Sequence, residues 1–575
     1  MADRVHEEGE IGRRGLLAAS ILFLVVGLAL PLWELATRSV EDADGRFTGL
    51  DNFREFFTHP HLYRALVNSF LVSGATTLLT VPLAYAFAYA IMRTQMPGKA
   101  FFRQLALLPL YAPTMLAGIG LVYLFGRMGL VTTGFFETFP RLAVDIGLYG
   151  ATGIILAESL LAFPAAVMIL MTALAGADAR LYEAAESLGA SKPRIFWSVT
   201  LPGTKYGLLS AGFVCFTFAF TDFGAPKVVG GSFPVMATDI YKHVIGQQNF
   251  AMGATASLVM IAPTLAAFLG DQWIRRRQHG AFSARSVPLA PRRSRWRDWI
   301  AFAFCVAASA AILSVFGAAG AGAFVKHWPY GLELTLRHFD FSRTAGSGYS
   351  ALWNSLRLAT YSAVAGTAVT FGAAYLTEKG RGLERWRRLT RVLALVPLAL
   401  PGLVLGLAYI FLFNREAFAV MGLEIPNPLS RLYGTMALLV ICSIIHFYTV
   451  GFLTATTALR QLDAEFELAG ESLGAPFYVT FWRVTLPLCL PAVCEIAGYF
   501  FVSTMATVSA VIFLYTPDLR LASVVVVNMD DAGNTASAAA MGMLIVLVNV
   551  VARTLFGLAG WLAERRTARW RNSRA

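Results

Sequence analysis

The side chains best able to do chemistry in this chain of 575 residues are few and scattered. Glu158, Asp222, Lys227 and Glu495 stand within or beside long apolar runs. Ionisable groups there are costly and usually face a bundle interior or a water-filled cavity. Lys227 could attract an anion, and a lysine near the end of an apolar run can equally reach the polar boundary. Glu158 and Asp222 read as inter-helix hydrogen-bonding groups before they read as solute contacts. His59-Pro60-His61 reads as an exposed loop, because two histidines without fixed helical spacing make no metal site. Cys215, Cys305, Cys442, Cys489 and Cys494 fall in or beside apolar runs with no CxxC pair, as small buried apolar side chains would. No His/Asp/Glu set has catalytic spacing. No GxxxxGK[ST] is present, since Pro97-Gly98-Lys99-Ala100 lacks the upstream glycine and the hydroxyl. The chain is therefore expected to be no enzyme, to hold no metal or cofactor, and to be unable to cradle ATP by itself.

What does recur is a polar sentence. Residues 183–202 read EAAESLGASKPRIFWSVTLP and residues 468–487 read LAGESLGAPFYVTFWRVTLP, identical at twelve of twenty positions. Asp178 and Asp463 suit N-caps. Leu181, Ala184, Ala185 and Leu188 recur at i, i+3, i+4 and i+7, as do Phe466, Ala469, Gly470 and Leu473. Glu183, Glu186 and Glu471 lie off that face. Each copy is expected to be a short amphipathic helix, closed by Gly189 or Gly474 in a left-handed C-cap. Phe196-Trp197 and Phe481-Trp482 suit a membrane interface. Leu201-Pro202 and Leu486-Pro487 would open the next helix. So short a helix is marginal in water and needs a surface to dock on.

The elements that carry these loops follow from composition. Apolar residues make up 57% of the chain and charged ones 14%, with mean hydropathy +0.60. Soluble domains run near 45–50% and about 25%. An all-α integral membrane protein is expected, since lipid admits only helices or closed barrels and these runs are too long for barrel strands. About twelve runs could span: roughly 15–34, 64–92, 103–125, 148–173, 204–224, 251–271, 299–325, 352–376, 389–413, 432–457, 488–514 and 537–562. The first follows Arg13-Arg14 like a signal peptide, but it is long enough to span and lacks a small-residue cleavage site. Net charge is +12. The basic residues sit between apolar runs, which argues against nucleic acid and for positive-inside placement, with both termini cytoplasmic. The densest inside clusters are Arg275-Arg276-Arg277, Arg292 to Arg297, Lys379 to Arg391 and Arg565 to Arg574.

Further repeats, ALVNSF at 65–70 with ALWNSL at 351–356 and LLPLYAP at 107–113 with LVPLALP at 395–401, divide the chain into halves. Residues 1–271 and 299–575 are expected to be six-helix units, joined by a basic linker at 272–298. An even number of helices between equivalent points makes them parallel repeats.

The paired loops resemble the EAA loops of permease subunits in binding-protein-dependent ABC importers. Glu183, Ala184, Ala185, Gly189, Phe196, Leu201 and Pro202 match that motif in the loop 178–202. Ala469, Gly474, Phe481, Leu486 and Pro487 match it in the loop 463–487. The second copy departs at Leu468, with Glu467 one position early, and one residue rotates a helical side chain by about 100°. The resemblance implies a type I importer permease in the bacterial inner membrane. Its ATPase-coupling residues would be Glu183, Ala184, Ala185, Glu186, Gly189, Ala469, Gly470, Glu471 and Gly474. Its partners would be two copies of a cytoplasmic ABC ATPase, which bind ATP and Mg, and a periplasmic solute-binding protein. Fused permeases of this layout resemble 2-aminoethylphosphonate importers and ferric-iron importers. Residues 221–253 and 507–541 favour the phosphonate group, with ferric iron as the alternative. A twelve-helix secondary transporter would also have parallel halves, but the paired EAA loops speak against it.

Overall fold

The computed structural model describes the chain apart from residues 1, 43–44, 280–286, 288, 347, 381, 421–422, 464 and 573–575. The side chains of 2–11, 275–279, 418–420, 423, 471 and 567–572 also lie outside the described set, and with them the side chain of Glu471 and much of the basic linker.

The fold is helical, as composition requires. Among the described residues, seven helices are long and apolar enough to cross a membrane: Gly12–Ser39, Pro60–Arg93, Ala151–Ala175, Phe250–Ile274, Arg295–Phe324, Met436–Arg460 and Thr535–Arg566. Glu384–Ala399 with Gly402–Phe413, and Phe477–Leu488 with Leu490–Ala506, are helix pairs bent by 113° and 78°. Counting each as one span gives nine. Thr114–Phe125 and Lys205–Thr221 are shorter apolar helices. Among the described residues, two of the expected runs are not continuous helices. The run at 103–125 is split into Lys99–Ala106, a 3-10 turn Leu108–Tyr111 and Thr114–Phe125. The run at 389–413 splits in the same way. The cause is local: Ala112 and Leu400 precede Pro113 and Pro401 and are extended, because a following proline disfavours the helical region.

The expected linker is also shorter than 272–298. Phe250–His279 is one helix and the next begins at Arg295. Two small antiparallel hairpins that the hydropathy pattern does not announce pair Val325–His327 with Gly331–Leu334, and Ala417–Val420 with Leu423–Pro426.

By contact the chain forms two compact units that differ from the halves of the sequence. One comprises Met1–Phe47, Ser347–Val525 and Leu544–Ala575; the other comprises Thr48–Gly346 and Val526–Met543. In the first unit the N-terminal helix packs on second-half helices, with the Tyr409 hydroxyl donating to the Gly27 carbonyl oxygen at 2.7 Å. Any Cβ at Gly27 would lie 2.9 Å from Ile445. In the second unit Arg295–Phe324 packs on Thr114–Phe125, so closely that a Cβ on Gly120 would lie 2.2 Å from the Val315 carbonyl oxygen.

The Asn-Ser repeat earns its position in both units. Asn68 Nδ2 donates to the Pro234 carbonyl at 2.9 Å, and Ser69 Oγ accepts the Met236 N–H at 2.8 Å. Asn354 Nδ2 donates to the Asp518 and Arg520 carbonyls, and Ser355 Oγ accepts the Ala522 N–H at 2.8 Å. Each dipeptide thus satisfies the backbone entering a short helix, Met236–Tyr241 or Ala522–Asp531, where buried polar groups must find partners.

Candidate functional site

The first polar repeat folds as the helix Ala179–Ser187. Asp178 caps it, accepting the Arg180 N–H at 3.1 Å. Its C-terminus is a Schellman motif: Gly189 N–H donates to Glu186 O at 2.9 Å and Ala190 N–H to Ala185 O at 3.0 Å. Gly189 has φ +74°, which needs no Cβ. The second repeat folds as Glu465–Ser472, with Gly474 at φ +68° and Ala475 N–H donating to Gly470 O at 2.9 Å.

Both helices leave an apolar face uncovered. Leu188 is 87% exposed and Leu473 85%. Leu181, Ala184, Leu468 and Ala469 are exposed as well, and Ala185 and Gly470 are half-buried. Glu183 is exposed, and Glu186 forms an exposed ion pair with Arg292 at 2.8 Å. Such surface pairs contribute little.

The opposite faces grip the chain by different chemistry. In the first copy Tyr182 donates its hydroxyl to Thr200 Oγ1 at 3.1 Å, under the Arg93 guanidinium 5.5 Å from its ring. In the second, Glu467 takes the place of Tyr182 and meets Lys379 Nζ at 3.2 Å. The two side chains are only 15% and 10% exposed. Glu467 is therefore no displaced motif glutamate: it points into its own unit. The outward position is held by Leu468. Gly470 is also specific to this copy, because a Cβ there would lie 2.6 Å from Thr480 Oγ1.

After each loop the helix widens. Phe196–Thr200 and Phe481–Thr485 are π-turns, with Leu201 and Leu486 N–H groups donating five residues back to Phe196 and Phe481. Pro202 and Pro487 follow at once. A proline ring would clash with the carbonyl four residues back, and a wider turn relieves this. Phe196 packs edge-on against Tyr85 and Tyr89, and Phe481 packs at a tilt against Phe371 and Tyr375, while Trp197 and Trp482 are exposed. Only the tryptophans thus keep an outward position.

Of the ionisable groups in apolar surroundings, the structure brings two together. Glu158, 1% exposed on Ala151–Ala175, has its carboxyl within hydrogen-bonding reach of Asp222. Asp222 Oδ2 accepts the Ala225 N–H at 2.9 Å, and Thr114 lies beside it. Positions 285 residues on carry Ser443 and Thr507, so the acidic pair exists in one repeat only. Lys227 is held elsewhere, 3.0 Å from Asp531 and 5.2 Å from the Tyr241 ring centroid. Glu495 is exposed on Leu490–Ala506 and joins none of them.

His61 is not a bare loop residue. Its Nδ1 lies 3.2 Å from the buried Asp239 carboxylate. His243 stands in the same cluster, in the π-turn Lys242–Gly246.

Residues 80–280 and 370–560 each match the family described as the inner membrane component of binding-protein-dependent transport systems. The chain belongs to this family. It is 28% identical over 501 residues to the ferric transport system permease protein FbpB of Actinobacillus pleuropneumoniae, covering 85% of this chain and 70% of that one. It is 25% identical over 537 residues to the Fe(3+)-transport system permease protein FbpB 2 of Haemophilus influenzae, covering 92% and 95%. The molybdenum transport system permease protein ModB of Escherichia coli is 27% identical over 218 residues, 37% of this chain and 93% of that one. The protein is thus a fused double permease of the ABC-importer class, a multi-pass membrane protein with the family domain present twice. These relatives name ferric iron and molybdenum; the phosphonate expectation finds no support among them, and its ferric alternative does.

Proposed function

We propose that this chain is the permease subunit of an ATP-driven importer of ferric iron. The observation that carries the reading is similarity to ferric permeases across 85% of the chain or more. The geometry supports it at one point. Lys227, the cation that could have attracted a phosphonate, is already neutralised by Asp531 at 3.0 Å.

In this reading a periplasmic binding protein delivers iron to the outer face, and both termini lie in the cytoplasm. Two copies of an ATPase dock on the exposed faces of Ala179–Ser187 and Glu465–Ser472, with Leu188 and Leu473 as apolar anchors. Glu183, Ala184, Ala185 and Glu186 form the first handle with the cap Gly189. Ala469, Gly470 and Glu471 form the second with Gly474. Since Glu183 faces outward and its counterpart is Leu468, the two handles present different chemistry to identical ATPases. The acidic pair Glu158–Asp222 acts as an inter-helix tie.

The test is co-purification of the chain with its ATPase and binding protein, followed by calorimetric titration of the binding protein. Tight ferric-ion binding supports the proposal. Tight binding of molybdate or 2-aminoethylphosphonate, with none of ferric iron, overturns it.

A further inference from the structure

The basic cluster between Lys379 and Arg391 has no part in the reading above, and its placement is unusual. The helix Glu384–Leu395 carries Arg385, Arg387, Arg388 and Arg391. It turns through 113° into the apolar helix Gly402–Phe413. If the latter crosses the bilayer, the former lies across the membrane boundary rather than through it. Its inner side is fixed: Thr390 and Ala394 are buried, and Leu393 packs on Leu17, Ile21 and Leu376. Its outer side is apolar yet uncovered, with Trp386, Leu389 and Val392 exposed at every third position.

Beside that stripe, Glu384, Arg387, Arg388 and Arg391 line a cavity of about 210 Å³. Arg387 Nε and Arg391 Nη2 donate to the Thr377 carbonyl at 2.8 and 3.1 Å. Arg391 also meets Glu378 at 3.2 Å, but Glu378 is shared with Arg460 at 3.0 Å. The buried Nε of Arg391 has no acceptor. Among the described residues no ion pair joins Arg387 or Arg388 to a carboxylate. A cavity with three guanidinium groups at its wall and an apolar stripe along its rim fits one occupant in a membrane protein.

We propose that this cavity binds the phosphate headgroup of an anionic phospholipid, with the acyl chains lying along Trp386, Leu389 and Val392. Guanidinium groups recognise phosphate oxygens in pairs. Cationic clusters on amphipathic helices at the membrane boundary select anionic lipid. The corresponding helix of the first repeat, Lys99–Ala106, carries only Lys99 and Arg103, so the site belongs to one repeat. It sits at the same end of its unit as the second loop helix, because Lys379 reaches Glu467 and Arg13 lies over Phe477.

The test is native mass spectrometry of the full-length chain in neutral detergent. It is titrated with dioleoyl-phosphatidylglycerol, with dioleoyl-phosphatidylcholine, and with inorganic phosphate as competitor. Phosphatidylglycerol is expected to bind more tightly than phosphatidylcholine. Each arginine removed should weaken it about fivefold, from ~1 kcal/mol per cationic side chain at a membrane surface. Arg388→Gln reads one step and Arg387→Gln with Arg388→Gln reads two. Arg388→Gln alone decides if the double variant fails to fold. Equal affinity for the two lipids, or unchanged phosphatidylglycerol affinity in Arg388→Gln, overturns the proposal. So does a cavity that takes millimolar inorganic phosphate while phosphatidylglycerol fails to compete.

Discussion

Lys379 Nζ lies 3.2 Å from the Glu467 carboxylate, between the end of the Ser350–Glu378 helix and the inner face of the second loop helix. The first loop has Tyr182 beneath Arg93 at the matching place. Two copies of one sequence motif are therefore anchored by unlike interactions. Removing one partner of so enclosed a pair leaves an uncompensated charge and costs about 3 kcal/mol. Lys379→Met is expected to lower the thermal unfolding midpoint of the purified chain, and Lys379→Met with Glu467→Met to recover most of the loss. Equal midpoints for the single variant and the wild type would rule the anchor out.

The close approach at Gly470 predicts a rescue. A methyl group at this position meets Thr480 Oγ1 at 2.6 Å, so Gly470→Ala should displace the second loop helix and destabilise it by about 1–3 kcal/mol. Thr480→Ala in the same chain should restore it. The first loop carries Ala185 at the matching position, so a methyl group is already accommodated there. Limited proteolysis between 463 and 480 reads the displacement directly.

The Schellman caps predict that β-branched residues fail where glycine stands. Gly189→Val forces a branched side chain to φ +74°, at a cost of about 1–2 kcal/mol, whereas Gly189→Asn is better tolerated. ATPase stimulation in the reconstituted complex should fall in the valine variant and largely persist in the asparagine variant. Membrane insertion should be the same in both.

The cluster of His61, Asp239 and His243 predicts a response to pH. Burial, with His61 and His59 nearby, holds the His243 imidazole below its ordinary value, although Asp239 and Gln247 pull it up. A group lowered by folding contributes stability above its free pKa, near 6.5, and loses it as pH falls through the folded value. Burial raises the Asp239 carboxyl against the pull of His61, Lys242 and His243. That contribution has the opposite sign, present at low pH and lost as pH rises. His243→Gln removes the first and, of the three pulls on Asp239, only the smallest. Hydrogen exchange over 236–246, corrected for intrinsic rates, should accelerate between pH 7.5 and 5.5 in the wild type relative to His243→Gln. Identical pH responses in the two proteins would exclude the effect.

The caps, the loop helices and the exposed face were legible in the sequence, because they depend on neighbours within a few residues: Asp178, Gly189, Leu188. The breaks at Pro113 and Pro401 carried a visible signal, but each lay inside an apolar run that hydropathy alone reads as continuous. The role of Glu467 could not be read locally, since its partner Lys379 lies 88 residues away. Nor could the pairing of Lys227 with Asp531, or the packing of the N-terminal helix on Tyr409. These are long-range contacts, and periodicity reports a buried face without naming what buries it. The acidic pair was partly visible as two costly residues, Glu158 and Asp222, without the geometry that joins them.

The proposed function is ATP-driven movement of ferric iron through this chain. Uptake of radiolabelled ferric iron into proteoliposomes holding the chain and its ATPase, with the iron-loaded binding protein outside, tests that claim most directly. The expected result is uptake that requires ATP inside the vesicles and is strongly reduced by Leu188→Asp in the first loop. No ferric uptake, alongside ATP-dependent uptake of molybdate or 2-aminoethylphosphonate by the same vesicles, would contradict it.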